Sequence, residues 1–309
     1  MKKIYFIGIN GIGMSGLAKI MKIKGYDVKG ADLTRGYVTE ELESMGITVY
    51  NTHEAEHVKD SDMVIASSAI KKDNSEYKYA MDNGIKIVKR GELLAMLLND
   101  ETGIAVAGTH GKTTTSSMMS TVMLEKDPTI VVGGILPEIG SNAKPGKSKY
   151  FIAEADESDG SFLKFYPKIA VVTNIEDDHM DHYGTEENIY AAFKQFLENI
   201  QPGGKAILCI DNAKVKRLAG ETSVPVITYG LEDSGAAYTA RNIRYNADGT
   251  VYSLYADGSF VTEVRLTVPG RHNVLNSLGA FAAGREMGVA VDSILASLHK
   301  FGGAKRRFE

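Results

Sequence analysis

A single cysteine, Cys209, is all the thiol chemistry the 309-residue sequence offers. That excludes an intramolecular disulfide framework and fits a reducing cytosol. Within the apolar run Lys205 to Ile210 it reads as a core residue. Positive charge is not in excess either. A formal net charge of −4 argues against a nucleic-acid partner, for which a basic face is expected. A small anionic ligand stays open, because backbone amides bind phosphate without lysines. Long hydrophobic runs are missing as well. Nowhere do ~20 apolar residues follow one another, so no helix is expected to span a membrane. The start, MKKIYFIGINGIGMSGLA, has the basic-then-apolar look of a signal peptide. Asn10 and four glycines interrupt it, however, and Lys19, Lys22 and Lys24 follow with no cleavage pattern. The expected location is cytoplasmic.

At ~100–200 residues per domain the length suggests two domains, and 43% hydrophobic residues can fill a core in each. The first α/β segment opens with a strand at Ile4–Ile7, a glycine turn and a helix to about Lys24. Strand-like runs recur at Asp27–Ala31, Ile47–Tyr50, Met63–Ala66 and Ile85–Val88, with helices such as Thr39–Met45 and Ser75–Asp82 between them. This alternation means a parallel sheet covered on both faces. Gly91–Asn99 reads as a helix leading out, which places the domains at 1–100 and 101–309. The second segment restarts with a strand at Gly103–Ala107 and a helix from Lys112. Buried strands are expected at Tyr150–Ala155, Lys168–Thr173, Ala206–Ile210 and Val226–Thr228. Between Ala237 and Val268, Asp248-Gly249 and Asp257-Gly258 separate alternating runs, the signal of hairpins. The fold class expected is α/β: a Rossmann-like N-terminal domain, then a P-loop-type domain carrying a small antiparallel β meander. Helices at Asn273–Met287 and Asp292–Lys300 precede a tail, FGGAKRRFE, that looks like a linker.

In AVAGTHGKTTTSSMM a glycine-rich turn joins an apolar strand to a helix. Gly108 and Gly111 let backbone amides converge on phosphate oxygens. Lys112 supplies a cation, and the Thr113 hydroxyl can ligate Mg²⁺ at a helix N-terminus. The strict loop pattern asks for glycine where Val106 stands, so this is a shortened variant. An ordinary strand–helix turn with a capping threonine is the bland alternative. Two acidic clusters follow later strands. One holds Glu154, Asp156, Glu157 and Asp159; the other holds Glu176, Asp177, Asp178, His179, Asp181 and His182. Mg²⁺ takes one or two carboxylates beside phosphates, so most of these acids are expected to be loop charges or caps. The histidine spacing lacks the helical context of a zinc site.

A second glycine loop, Gly11-x-Gly13-x-x-Gly16, follows the first strand, with Asp32 at the end of the next. Alone this reads as a dinucleotide fingerprint and an NAD-dependent oxidoreductase. Physically it says only that a pyrophosphate can sit on a helix N-terminus while a carboxylate meets a sugar hydroxyl. A UDP-sugar carries a pyrophosphate too.

With these motifs in one order, the chain resembles the Mur ligase family. The stretches that carry the resemblance are GINGIGMSGLA, SSAIKKDNSEY, AVAGTHGKTTT, EADESDGSFL, VVTNIEDDHMDHYG, PGRHNVLNSLGA and FGGAKRRFE. The resemblance implies an ATP-dependent ligase of peptidoglycan precursor synthesis. Its substrates would be UDP-N-acetylmuramate, L-alanine and ATP, joined through an acyl phosphate with Mg²⁺. It implies roles for Gly108, Thr109, His110, Gly111, Lys112, Thr113 and Thr114 at the phosphates, with Thr113 and Glu154 on one metal and His179 near a second. Asn273 and Asn276 would line the nucleotide site on a helix opened by His272, and Arg307 would reach the phosphates. Gly11, Ile12, Gly13 and Ser15 would hold the sugar nucleotide's pyrophosphate, with Asp32, His53 and Ser68 as neighbours. Lys112, Glu154 and His179 are the catalytic set.

The sequence departs from the family pattern at Asn10, in place of a common glycine, and at Ser75, in place of a proline. Lys194 falls near a position where sister ligases carry a carbamylated lysine; a surface lysine explains it equally well. A third domain implied by the family is absent from these residues, so the chain alone is expected to turn over negligibly. A sibling ligase that attaches a recycled peptide to the same UDP-sugar is the nearest alternative, and a non-catalytic nucleotide-binding module is another.

Overall fold

A computed structural model of the chain describes residues 2–231 and 235–303. The chain divides into two compact units, one formed by Met1–Leu94 with Asn142–Pro145, the other by the rest. The sequence places the break near residue 100 and gives no hint that the short segment 142–145 falls with the first unit.

In the first unit, strands β1 (Lys3–Ile7), β2 (Asp27–Ala31), β3 (Thr48–Tyr50), β4 (Met63–Ala66) and β5 (Lys86–Lys89) are parallel, in the order β3-β2-β1-β4-β5. Helices α1 (Ile12–Ile23), α2 (Tyr37–Ser44) and α3 (Ser75–Asp82) lie between them, and α4 (Arg90–Asn99) follows β5. Tyr5, Phe6 and Ile7 are at most 1% exposed, as a central strand covered on both faces requires. Strand order reverses between β1 and β4. In an open parallel sheet the ligand crevice lies at the carboxyl ends flanking that reversal, and the Gly8–Gly13 turn occupies it. The third fingerprint glycine ordinarily permits close helix–strand packing. Here a Cβ on Gly16 would lie 2.5 Å from the Cβ of Ala143, so the segment 142–145 is what demands it.

The second unit contains β6 (Thr102–Ala107), α5 (Lys112–Met123), β7 (Thr129–Leu136), β8 (Ser141–Lys144, mostly grouped with the first unit), β9 (Tyr150–Glu154) and β10 (Ile169–Val172). It continues with α6 (Met180–Tyr183), α7 (Glu186–Glu198), β11 (Lys205–Cys209), α8 (Ala213–Glu221), β12 (Val226–Gly230), β13 (Tyr238–Asn246), β14 (Gly249–Ala256), β15 (Ser259–Leu266), α9 (Arg271–Glu286) and α10 (Val291–Lys300). Strands run in the order β15-β14-β13-β12-β11-β10-β6-β9-β7. They are parallel from β7 to β13 and antiparallel through β13-β14-β15. Met118, Met119 and Val122 of α5 share one core with Leu278 and Phe281 of α9 and with Ile104 and Val106 of β6. β6 is central, between β10 and β9, so a second order reversal places a crevice at its carboxyl end.

The meander is present with one turn displaced. Asp257 and Gly258, at φ +46° and +78°, form a two-residue turn between Ala256 and Ser259, the primed geometry that suits hairpin twist. The other turn is Ala247-Asp248, because Asn246 pairs with Gly249. Gly249 is already in β14, and a Cβ there would sit 1.9 Å from the Leu266 carbonyl oxygen. Strands β7 and β8 have no counterpart in the sequence expectations. Among the described residues no helix is long and apolar enough to cross a membrane.

Gly16→Ala should destabilise the first unit by about 1–3 kcal/mol, the usual cost of overpacking. Urea denaturation of the variant, followed against the parent, measures it; an unchanged midpoint would mean that residues 142–145 yield without cost.

Candidate active site

The loop after β6 takes its shape from β10. Gly108 has φ +132°, and a Cβ there would meet the Thr173 hydroxyl at 2.1 Å; only glycine fits. The Thr109 amide donates to the Asn174 carbonyl (3.1 Å) and the His110 amide to Asn174 Oδ1 (2.8 Å). The His110 carbonyl accepts from Thr173 Oγ1 (2.6 Å) and Asn174 Nδ2 (2.9 Å). Thr109 Oγ1 accepts from the Glu176 amide (2.8 Å). Gly111, at φ +84°, begins α5 with no side-chain cap and no acidic residue in the first turn. Those first-turn amides remain available to an anion. Asn276 Oδ1 would be 2.7 Å from a Cβ on Gly111, so α9 presses against the loop at the position expected of a site asparagine. A cavity of about 460 Å³ opens here, lined by the loop from Thr109 to Thr114 and by Asn174, Tyr229 and Asn276. Cys209, 3% exposed, is a core residue that also lines it. Burial pushes its thiol up to about 11, so it is no thiolate nucleophile.

Lys112 and Thr113 lead to two different carboxylates. Lys112 Nζ donates to the carbonyls of Gly108 (2.6 Å) and Thr109 (3.3 Å) and to Glu157 Oε1 (2.9 Å). Glu157 is fully buried and its Oε2 has no partner. Burial raises its pKa, with Lys112 opposing. His179 Nε2 lies 3.8 Å from Glu157 Oε1, so the histidine approaches this buried acid. Thr113 Oγ1 donates to Glu154 Oε2 (3.2 Å), while Glu154 Oε1 accepts from Ser116 Oγ (3.0 Å) and the Gly133 amide. Desolvation raises the Glu154 pKa, against those three donors and the Lys112 charge. Gly133 has no room for a side chain: its Cβ would lie 2.7 Å from Glu154 Oε2.

Of the residues named from sequence, then, Gly108 to Thr114, Glu154, His179 and Asn276 all belong to the second unit's loop and its acidic neighbours. Asn273 is buried and turned toward the Pro269 carbonyl (2.6 Å). Arg307 lies outside the described residues. Lys194 pairs with Glu221 (3.6 Å) on the surface of α7. Glu157 stands out in the sequence only as a member of the acidic cluster, and Gly133, Ser116 and Thr173 carry no motif. Glycines inside a β-branched run, at Gly133-Gly134, were the one signal of a close approach. Thr113 and Glu154 present adjacent hard oxygens, which suit Mg²⁺. Among the described residues no cluster of three or more His, Cys, Asp or Glu is poised to hold a metal, so phosphate oxygens and water would complete the shell.

In the first unit Asp32 is committed to structure. Its carboxylate accepts from the Asn10 amide (3.0 Å), the Thr34 amide (3.1 Å) and the Thr34 hydroxyl (2.8 Å). That use tells against the ribose contact of a dinucleotide site. Ile12 is exposed at the loop, and Ser15 Oγ turns back to the Ile12 carbonyl (3.2 Å). Ser68 is exposed just beyond β4. His53 Nδ1 lies 2.6 Å from the fully buried Glu76, which also accepts from Tyr5 (2.6 Å) and faces His57 Nδ1 (3.2 Å).

The raised pKa of Glu154 has a direct consequence for stability. The folded state holds that proton more tightly than the unfolded chain, whose value is about 4.5. Its contribution is therefore intact below about 4.5 and is lost as pH rises through the folded value. Ligand-free Glu154→Gln should melt above the parent at pH 8, with the gap narrowing as pH falls toward 4.5. A gap that widens on acidification would contradict this.

Residues 3–102 match the Mur ligase family, catalytic domain, and residues 106–284 match the Mur ligase middle domain. The UDP-N-acetylmuramate–L-alanine ligase of Fusobacterium nucleatum is 58% identical, covering all of this chain and 66% of its own length. The enzyme of that name from Pelotomaculum thermopropionicum is 48% identical, with 67% of its length covered. The chain thus spans about two thirds of the length of the curated relatives it matches. Among solved structures, the UDP-N-acetylmuramate-alanine ligase from Thermotoga maritima superposes with a TM-score of 0.85 at 30% identity, over 100% of this chain and 70% of that one. The UDP-N-acetylmuramate:L-alanyl-gamma-D-glutamyl-meso-diaminopimelate ligase from Neisseria meningitides reaches 0.87 at 27% identity, over 99% and 100%. Two domain matches in order, on an α/β scaffold with a glycine loop in each unit, make the conclusion plain: the chain belongs to the Mur ligase family.

Proposed function

We propose that the chain is the UDP-sugar-binding and ATP-binding part of a UDP-N-acetylmuramate–L-alanine ligase, acting in the cytoplasm in peptidoglycan precursor synthesis. The observation that carries it is the pairing of the Gly108–Thr114 loop with half-buried Glu154 and fully buried Glu157. An amide cup, one lysine and two acids fit a polyphosphate that arrives with a divalent cation. The relatives' names favour alanine over the peptide of the recycling enzyme.

The chemistry is transfer of the terminal phosphoryl group of ATP to the lactoyl carboxylate. The amine of L-alanine then attacks the acyl phosphate, and phosphate leaves from a tetrahedral intermediate. The barrier is largely electrostatic, since a carboxylate must approach a polyphosphate. Mg²⁺, held by Thr113 and Glu154, would supply charge neutralisation there. The amides at the start of α5, from Gly111 to Thr114, would orient the phosphates. Lys112 would leave the Gly108 and Thr109 carbonyls to meet the terminal oxygens, and Asn276 fixes the loop's far wall. His179, beside Glu157, stands next to the lysine's resting position.

Mg²⁺-ATP should raise the melting temperature of the chain by mass action, and Lys112→Ala should lose most of that rise. An undiminished rise in the variant would remove the loop as the phosphate site. Titration provides the wider test: UDP-N-acetylmuramate should bind and NADH should not, and the reverse result would sink the ligase reading.

A further inference from the structure

β5 ends at Lys89 and α4 begins at once with Arg90, on the carboxyl side of the first unit's sheet. A Cβ placed on Gly13 would lie 3.0 Å from Arg90 Cδ, 3.4 Å from Nη1 and 3.5 Å from Nε. The half-buried arginine therefore lays its guanidinium across the middle glycine of the Gly11-x-Gly13 turn. Among the described residues it has neither a hydrogen bond nor an ion-pair partner. A guanidinium carries five donors and no acceptor, so one that takes no acceptor from the loop beneath it keeps its donors for water or for the oxygen atoms of a ligand. The acid best placed by sequence, Asp32, is taken up by Asn10 and Thr34. Beneath the arginine, α1 begins without a side-chain cap and without an acidic residue in its first turn, so its amide field is not neutralised locally. This is also where strand order reverses between β1 and β4.

We propose that Arg90 clamps the diphosphate of the nucleotide-sugar ligand onto the Gly11–Gly13 turn, an assignment that rests on the UDP-sugar reading above. The fork of the guanidinium matches two oxygens of a diphosphate, which a lysine's point charge cannot do. Glycine at position 13 also lets the arginine lie this close: a Cβ there would crowd its Cδ at 3.0 Å and oblige the side chain to shift.

Isothermal titration of the chain with UDP-N-acetylmuramate, UDP and UMP tests the assignment. Arg90→Ala should weaken UDP-N-acetylmuramate and UDP by about 10- to 100-fold, the range of one charge-assisted contact. The loss for UMP should be smaller, because only one phosphate remains. Arg90→Lys should recover part of the affinity while lowering its selectivity for UDP over UMP. Parent-like affinity for UDP in Arg90→Ala would overturn the clamp, as would equal losses for UDP and UMP. A parent chain that binds neither UDP nor UDP-N-acetylmuramate would instead remove the ligand reading itself, and the assignment with it. Circular dichroism and melting of each variant show whether a loss reflects misfolding, and Arg90→Lys keeps the test decisive where Arg90→Ala does not fold.

Discussion

The hydrogen bonds from Thr173 and Asn174 to the loop that follows β6 are what the second unit's site depends on. A phosphate loop must leave its amides pointing outward, which means its carbonyls and its shape have to be held by something else. Here the His110 carbonyl takes both side chains, and Thr173 Oγ1 fills the space in which a Cβ of Gly108 would stand. The loop is thus shaped by β10, a strand some sixty residues further along the chain. β10 can do this only because β6 is central, with β10 on one side and β9 on the other. β9 delivers Glu154 at its own carboxyl end. Topology, rather than local sequence, is what makes the loop and the acids into one site.

Charge in that site is arranged at a cost. Glu154 and Glu157 are both raised by desolvation, and among the described residues Lys112 is the one lysine or arginine within bonding distance of either. In the ligand-free state the lysine is consumed by Glu157 and by two carbonyls of its own loop. An arriving polyphosphate would compete for it, leaving Glu154 and Glu157 in need of a cation. Stability is spent on a field that is already in place before the ligand arrives, which is the usual trade at sites that stabilise charge.

Much of this was legible in the sequence. Alternating β-rich runs and helices mark both parallel sheets, and Met63–Ala66 and Ser75–Asp82 fall where the pattern puts them. The glycine loops, Lys112, Thr113 and Glu154 stand out because their chemistry is concentrated in a few adjacent residues. What could not be read is whatever long-range packing decides. Which member of the Glu154-to-Asp159 cluster is buried against Lys112 depends on how the chain turns after β9. Ser161–Lys164 forms a short helical turn there, and Tyr183 donates to the Glu157 carbonyl from far along the chain. β7 was missed because Gly133 and Gly134 break its apolar run, and Gly133 is there to admit the Glu154 carboxylate. A fingerprint gives the position of the Asp32 carboxylate but not its partners. The backbone amide of Asn10 donates to Asp32, and its side chain donates to Thr39 (2.8 Å).

The two glycine loops differ in the charges built around them, and the difference bears on what each accepts. Around the first, Arg90 lies over Gly13 with no hydrogen-bond or ion-pair partner among the described residues, while Asp32 is engaged with backbone and threonine and Glu92 with the Lys89 amide. Net positive character remains for a diphosphate ester, whose own charge is modest and which needs no metal to be held. Around the second, one lysine faces buried Glu157 and half-buried Glu154, so the protein alone presents excess negative charge to a still more negative ligand. Coulomb repulsion at such distances in a poorly solvated cleft is too large to be met by helix amides alone. A divalent cation bound with the phosphates reverses the balance. On the proposed reading the acids are therefore selective elements: they disfavour metal-free nucleotide in the second unit, whereas Arg90 over the first turn would let that unit take its ligand without one.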